Sequence, residues 1–318
     1  MVISSAARYG SLFCIAAVVS GCAGEQVAPA PLPAAAVRRP ARDARPSWVA
    51  PDAKKIPLLY VTDLGTGDVY IYAYRTGALK GTLRGFSRPW GLCVDRAGSV
   101  YVTDNDAQLI HKYAHGGTKP TATLKDPGET PGGCAVDPTT GDLAIANVSN
   151  LGSEPGDVAI YRKGRAPRRS FKDPGINYYE YCSYDNHGNL FVDGQKGGAF
   201  VFAELSAVSH AFTDIDLNAS IQFGGSVQWD GTQVAVGDYT AHKIDEFDIG
   251  PSGATEVGST KLDGATFAVQ FLIDGAKIVS PDAGGADVLF WNYPTGGSPV
   301  STLGGLQTPW GVAVSPAK

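Results

Sequence analysis

A strand of the form (L/V)-Y-V-T-D returns along this chain at nearly constant spacing. It reads LLYVTD at 58–63 and SVYVTD at 99–104. Altered copies follow: DLAIAN at 142–147, NLFVD at 189–193, QVAVGD at 233–238 and AKIVSPD at 276–282. The closing residues Asp63, Asp104, Asn147, Asp193, Asp238 and Asp282 are 41, 43, 46, 45 and 44 residues apart. β-Branched and aromatic residues favour a pleated strand, and an apolar run without alternation reads as buried on both faces. A period of this size made of strands throughout specifies a propeller, in which each repeat is one sheet that must stack on its neighbours to bury its faces.

Each copy supplies further strands. Inner strands precede most of them: GLCVD (91–95), GCAVD (133–137), YCSYD (181–185), SVQWD (226–230) and FLID (271–274). Between inner and second strands lie turn residues such as Asp95-Arg96-Ala97-Gly98, with a side-chain acceptor first and a Gly late. Third strands follow, as in VYIYAY (69–74) and DVLFWNY (287–293), then more polar fourth strands such as PTATL and PVSTL. Forty Gly and 21 Pro fit so many turns, and no long amphipathic helical period appears beyond the N-terminus. The first copy lacks an inner strand. Pro309-Trp310-Gly311-Val312-Ala313-Val314-Ser315 repeats Pro89-Trp90-Gly91-Leu92-Cys93-Val94-Asp95, so the C-terminal strand is expected to complete the first blade and close the ring. The fold class is therefore all-β: a six-bladed β-propeller over residues 57–318, closed by a C-terminal inner strand.

The P-x-G-V-x-V-D inner strand and the (L/V)-Y-V-T-D second strand resemble those of NHL-type and related TolB-like six-bladed propellers. The resemblance implies the fold and little chemistry, because such rings include scaffolds, binding modules, hydrolases and lyases.

The N-terminal segment reads as an address. An apolar run from Ser11 to Ser20 is too short to span a bilayer, and Val19-Ser20-Gly21-Cys22 resembles the bacterial lipobox. That resemblance implies a signal peptide over 1–21, lipidation of Cys22 and export as a lipoprotein. Ala23 after the Cys implies the outer membrane, facing the periplasm or the cell surface. Residues 22–56 are Pro- and Ala-rich and read as a disordered, extended tether. Residues 23–56 hold six basic and three acidic side chains, whereas the whole chain has net charge −5, so the ring is acidic. A basic tether near anionic headgroups and an acidic domain argue for a membrane partner through the anchor and against nucleic acid.

In a propeller the starts of inner strands and the ends of second strands share one face, the mouth. That places Trp90, Trp310, Glu180 and Tyr179 there, with His242 just before a third strand as a candidate general base. Exposed aromatics at a mouth can stack a ligand. The repeated acids, by contrast, read first as turn caps. An oxygen set of Glu180, Asn147, Asp104 and Asp193 is the candidate for Ca²⁺ or Mg²⁺, and it is the arrangement that resemblance to lactonase-type propellers implies. No catalytic motif and no Cys/His zinc cluster is present. The inner-strand register puts Cys93 and Cys134 at opposite parity in adjacent blades, so these two can face each other as a disulfide, while a Cys134–Cys182 pairing or three buried thiols remain open. The expected function is a lipid-anchored binding or scaffold module whose protein or small-molecule ligand docks at the mouth. The alternative is a metal-dependent hydrolase or lyase.

Overall fold

The computed structural model describes residues 45–150, 154–251 and 253–317. The expected signal peptide, the lipobox-like stretch with Cys22, and the expected tether up to residue 44 lie outside the described residues. The rest is a ring of six antiparallel sheets. Blade 1 runs from its inner strand Pro309–Ser315 through Leu58–Asp63 and Asp68–Ala73 to Leu79–Leu83. Blade 2 is Pro89–Val94, Val100–Asp104, Leu109–Tyr113 and Pro120–Lys125. Blade 3 is Pro131–Val136, Leu143–Asn147, Val158–Tyr161 and Arg168–Phe171. Blades 4, 5 and 6 begin with inner strands Tyr178–Tyr184, Gly224–Trp229 and Leu272–Asp274.

The closing strand pairs as its sequence demands, with Val61 opposite Val312 and Asp63 opposite Pro309. The folded part begins before residue 57. Trp48–Val49 adds a fifth, outermost strand to blade 1 by pairing with Thr82 and Gly81, and a 3₁₀ turn over Pro51–Lys55 buries Ala53.

The hydrophobic core is divided into six clusters, one per blade interface. Leu58, Tyr60 and Ile71 of blade 1 pack on Leu92, Val102 and Tyr113 of blade 2, and the same logic repeats around the ring to the blade 6–blade 1 cluster of Val279, Phe290, Val61 and Val312. This is why the second strands are apolar on both sides: each face meets a different neighbour. The Gly of Pro-Trp-Gly has a steric cause. A Cβ on Gly91 would lie 2.5 Å from the Gly132 carbonyl oxygen, and one on Gly311 would lie 2.3 Å from that of Trp90. Inner strands of adjacent blades approach so closely there that only glycine fits.

The repeated acid is a cap in four blades. Asp63 accepts from the amides of Gln307 and Thr308, Asp104 from Ser87 and Arg88, Asp238 from Gln222, and Asp282 from Thr266 and Phe267. Each carboxylate thus ties the loop entering its blade to the end of its second strand.

Candidate functional site

One backbone device sets the mouth. In blades 1 to 5 the inner strand carries a bulge, two residues facing one on the second strand. Between Pro89↔Asp104 and Leu92↔Val102, Trp90 and Gly91 oppose Thr103 alone. The register is the same in blade 1 (Trp310, Gly311 opposite Thr62), blade 3 (Gly132, Gly133 opposite Ala146), blade 4 (Glu180, Tyr181 opposite Asp193) and blade 5 (Gly225, Ser226 opposite Gly237). Bulges redirect side chains. The first bulge residues form the innermost ring of the mouth: Trp310, Trp90, Gly132, Glu180 and Gly225, with blade 6 irregular. Threonine holds the bulge where it is present. The Thr103 hydroxyl accepts from Gly91 N (2.8 Å) and donates to the Gly132 carbonyl (2.7 Å), stitching blade 2 to blade 3.

This register revises the place of Asp193. It does not sit at the capping position of Asp104: Gly194 does, opposite Tyr179, and Asp193 takes the threonine position. Its Oδ1 accepts from Tyr181 N at 2.7 Å, as the threonine hydroxyl would, while Oδ2 is buried without a hydrogen-bond partner. The physical reason is length. The NLFVD copy lacks the Thr before its Asp, so the acid arrives one residue early. Burial first, then the charge of Glu180, hold the Asp193 carboxyl well above the usual range. Burial likewise raises Glu180 to about 7, opposed by the hydrogen bond that Gln195 Nε2 donates to its Oε1 (2.8 Å). Of the two, Asp193 is held the more strongly in its protonated form, and Glu180 is the one that gains charge as pH rises through about 7.

The candidate aromatics separate. Trp90 and Trp310 are half-buried at the mouth, edge to face with centroids 4.9 Å apart. They continue into an arc that the sequence does not announce: Phe267 lies 5.8 Å from Trp310, Tyr239 4.6 Å from Phe267, and Phe223 5.6 Å from Tyr239. The guanidinium of Arg88 lies 4.7 Å from the Trp90 centroid. Tyr179 is not part of this surface. It is fully buried in the blade 3–blade 4 core, its hydroxyl donating to the Asp173 carbonyl and accepting from Asp173 N. As the residue before the bulge it faces the sheet interior, like Pro89.

His242 adopts φ +52°, and its Nδ1 is buried with no hydrogen-bond partner. It borders a void of about 10 Å³ beside Asp238 and Tyr239, room for one water. The proposed metal quartet does not assemble. Asp104 is committed to two backbone amides, and Asn147, fully buried, donates to Asp157 Oδ1 at 2.6 Å. Only Glu180 and Asp193 are electrostatic neighbours. Among the described residues no group of three His, Cys, Asp or Glu is placed to hold a metal ion. The oxygen set that a lactonase-type site requires is therefore not matched by the residues present.

Asn147 belongs instead to a buried charge cluster. The Arg168 guanidinium meets Asp126 (2.7 Å), Asp157 (3.0 Å) and Glu129 (3.6 Å), all nearly inaccessible to solvent. Burial, then the neighbouring Asp157, pushes the Glu129 carboxyl up to about 7.

Below the mouth the axis is blocked. Tyr181 stands where Pro-Trp-Gly has its Gly. Its fully buried hydroxyl lies against the Trp90 and Trp310 indoles. From blade 6, Gln270 donates to the Leu92 carbonyl (2.9 Å) and accepts from Leu92 N and Val312 N (both 3.3 Å). These two side chains form the floor of a separate cavity of about 360 Å³ on the opposite face, walled by Val94, Val136, Trp229 and Leu272. Cys93 and Cys134 are joined by a disulfide in that wall, with Cα atoms 5.6 Å apart, and Cys182 is a buried free thiol.

With this geometry in hand, the comparisons with known proteins agree on the fold. The NHL repeat model matches residues 86–113, the second blade's first three strands. No curated protein matches the chain. Among solved structures, a chain of a nidogen/laminin complex superposes with TM-score 0.67 at 14% identity, covering 82% of this chain and 99% of that one. A protein of unknown function from Bacteroides caccae gives TM-score 0.62 at 13% identity with the same coverage. A functionally unknown protein from Desulfotomaculum acetoxidans DSM 771 gives 0.59 at 11%, again over 82% and 99%.

Proposed function

We propose that this six-bladed propeller, which carries an NHL repeat, is a binding module held at a cell-envelope membrane by a lipid on Cys22, and that it takes its ligand at the mouth. One observation carries the reading. At the bulge ring, where the repeat would set similar residues, the chain places two half-exposed tryptophans and a single carboxylate, Trp310, Trp90 and Glu180. Large amphipathic rings beside one polar group, over a closed floor, are what a ligand site requires. The capping acids Asp63, Asp104, Asp238 and Asp282 of the same face are engaged with backbone amides. In support, a solved propeller of similar fold was crystallised in a nidogen/laminin complex.

Two experiments test this. A fragment library scored by thermal shift should yield compounds that stabilise the wild type and lose their effect in Trp90→Ala/Trp310→Ala. If the hits survive in that variant, the ligand site is elsewhere, with the opposite cavity the first place to look, and the mouth reading is wrong. Cys22→Ser should release the chain from the membrane fraction, and unchanged fractionation refutes the anchor. The metal-dependent hydrolase reading predicts a shift in melting temperature with millimolar Ca²⁺ or Mg²⁺. The two-carboxylate pair at the mouth gives no reason to expect one.

A further inference from the structure

We infer that the mouth recognises an ammonium-bearing ligand, held between the Glu180 carboxylate and the indoles of Trp310 and Trp90. This inference rests on the mouth being the binding face. The ring order supplies the geometry. Glu180 is on blade 4 and Trp310 on blade 1, three blades apart and so across the axis from each other. The bulge residues of the blades that flank Glu180, Gly132 and Gly225, carry no side chain, so neither blade sets a competing group beside the carboxylate. Trp310 and Trp90 close the far wall, and Phe267 and Tyr239 extend it towards blade 5.

The charges point the same way. No lysine or arginine pairs with Glu180 or Asp193 among the described residues, although both are substantially withdrawn from water. Asp193 Oδ2 is buried and unpartnered. Arg88 is placed over the Trp90 ring with Asp106 3.9 Å away, and so already uses the ring's negative face. A charge left without a counter-ion, facing a wall of electron-rich rings, is the arrangement that attracts quaternary and alkylated ammonium groups. An anionic ligand is disfavoured by the carboxylate pair. A neutral apolar ligand would leave Glu180 desolvated and unpaired.

The groups that face Glu180 set its pH response. On its own strand this is Tyr181, on the second strand Asp193 and Gln195, and on blade 5 Tyr239, whose hydroxyl stays neutral, pushed up to about 12 by burial first and then by the Glu180 charge. With Asp193 protonated, Glu180 gains its charge through about pH 7. Ammonium binding is therefore expected to strengthen roughly tenfold between pH 6 and pH 8, in step with the charged fraction.

The test uses choline and its neutral carbon isostere 3,3-dimethyl-1-butanol, titrated calorimetrically into the full chain. Choline is expected to bind at least tenfold more tightly than the isostere at pH 8. Glu180→Gln, which retains the shape and a polar partner for Gln195, should abolish that preference and the pH dependence while the circular dichroism spectrum stays unchanged. Trp310→Ala should weaken choline binding. Equal binding of the two probes would overturn the ammonium assignment and leave the mouth as a site for apolar ligands. Choline binding that is unchanged in Glu180→Gln would overturn it as well. No binding of either probe refutes the ligand class, whereas the mouth reading itself stands or falls on the fragment screen.

Discussion

Breaking the Cys93–Cys134 bridge should destabilise the ring by about 4 kcal/mol. The two cysteines are 41 residues apart in sequence and join the inner strands of blades 2 and 3. The loop they close therefore contains the whole of blade 2 outside its inner strand. The chain-entropy relation for a loop of that size gives ~13 cal/mol/K, or ~4 kcal/mol at 25 °C, lost from the unfolded chain. The bridge borders the open cavity of the face opposite the mouth, and Cys93 is only half-buried, so a thiol reductant can reach it without unfolding the ring. The measurement is guanidinium unfolding of the oxidised and reduced protein, made in a Cys182→Ser background to prevent exchange with the third thiol. The midpoint should fall on reduction with little change in slope. A Cys93→Ala/Cys134→Ala variant should match the reduced protein to within the cost of the truncated side chains. A loss below about 1 kcal/mol at constant slope would refute the reasoning, because it would mean that the bridge does not constrain the unfolded chain.

Three further outcomes follow from the same structure. Glu129 has a folded-state pKa of about 7 against an ordinary 4.5, so the fold binds its proton more tightly than the unfolded chain does. The associated stability is complete below pH 4.5 and is lost as pH rises towards 7; Glu129→Gln should therefore leave stability unchanged near pH 4 and raise it by up to ~3 kcal/mol at pH 8, with a pH-independent difference counting against the argument. Gly91→Ala should cost ~2 kcal/mol or more, measured by denaturant titration, because its Cβ would meet the Gly132 backbone at 2.5 Å, where no side chain can yield. Removing residues 309–318 should give self-associating species larger than those of the full chain on size-exclusion chromatography, since the edge of Leu58–Asp63 then has no partner; a truncated chain that elutes like the full one would show that closure is dispensable.

The fold was legible because its cause is local and repeated. Six apolar second strands at a near-constant step, together with Pro309–Ser315 duplicating Pro89–Asp95, leave few alternatives to a closed ring. The site was legible only in part. Trp90, Trp310 and Glu180 stand out in sequence because they occupy matching places in the inner strand, and the bulge explains why those places face the axis. Asp193 was misplaced because an Asp-ended strand looks like any other copy; the missing Thr before it was the available signal. Tyr179 followed from counting aromatics near Glu180 without knowing on which side of the bulge each falls. Tyr181 could have been noticed, since it replaces the Gly of Pro-Trp-Gly. Gln270 and the arc of Phe267, Tyr239 and Phe223 depend on irregular entry into blades 5 and 6, and no spacing rule reports that. The Arg168 cluster assembles side chains from four separate stretches and carries no motif.

Trp48–Val49 has a mechanical consequence. It is the outermost strand of blade 1 and is held by two backbone pairs with Thr82 and Gly81, the bond from Ala50 N to the Lys80 carbonyl, the Ser47 hydroxyl on Arg84 N, and the Lys80–Asp52 ion pair. The strand that closes the ring lies at the other end of the same blade, against the axis. A pull arriving through the segment before Arg45 is therefore borne first by this short peripheral strand. It can peel away and take up slack while Pro309–Ser315 and the Leu58–Asp63 edge it covers carry none of the load. The blade thus has a sacrificial outer ply, and under tension the mouth should keep its shape for as long as that ply is peeling.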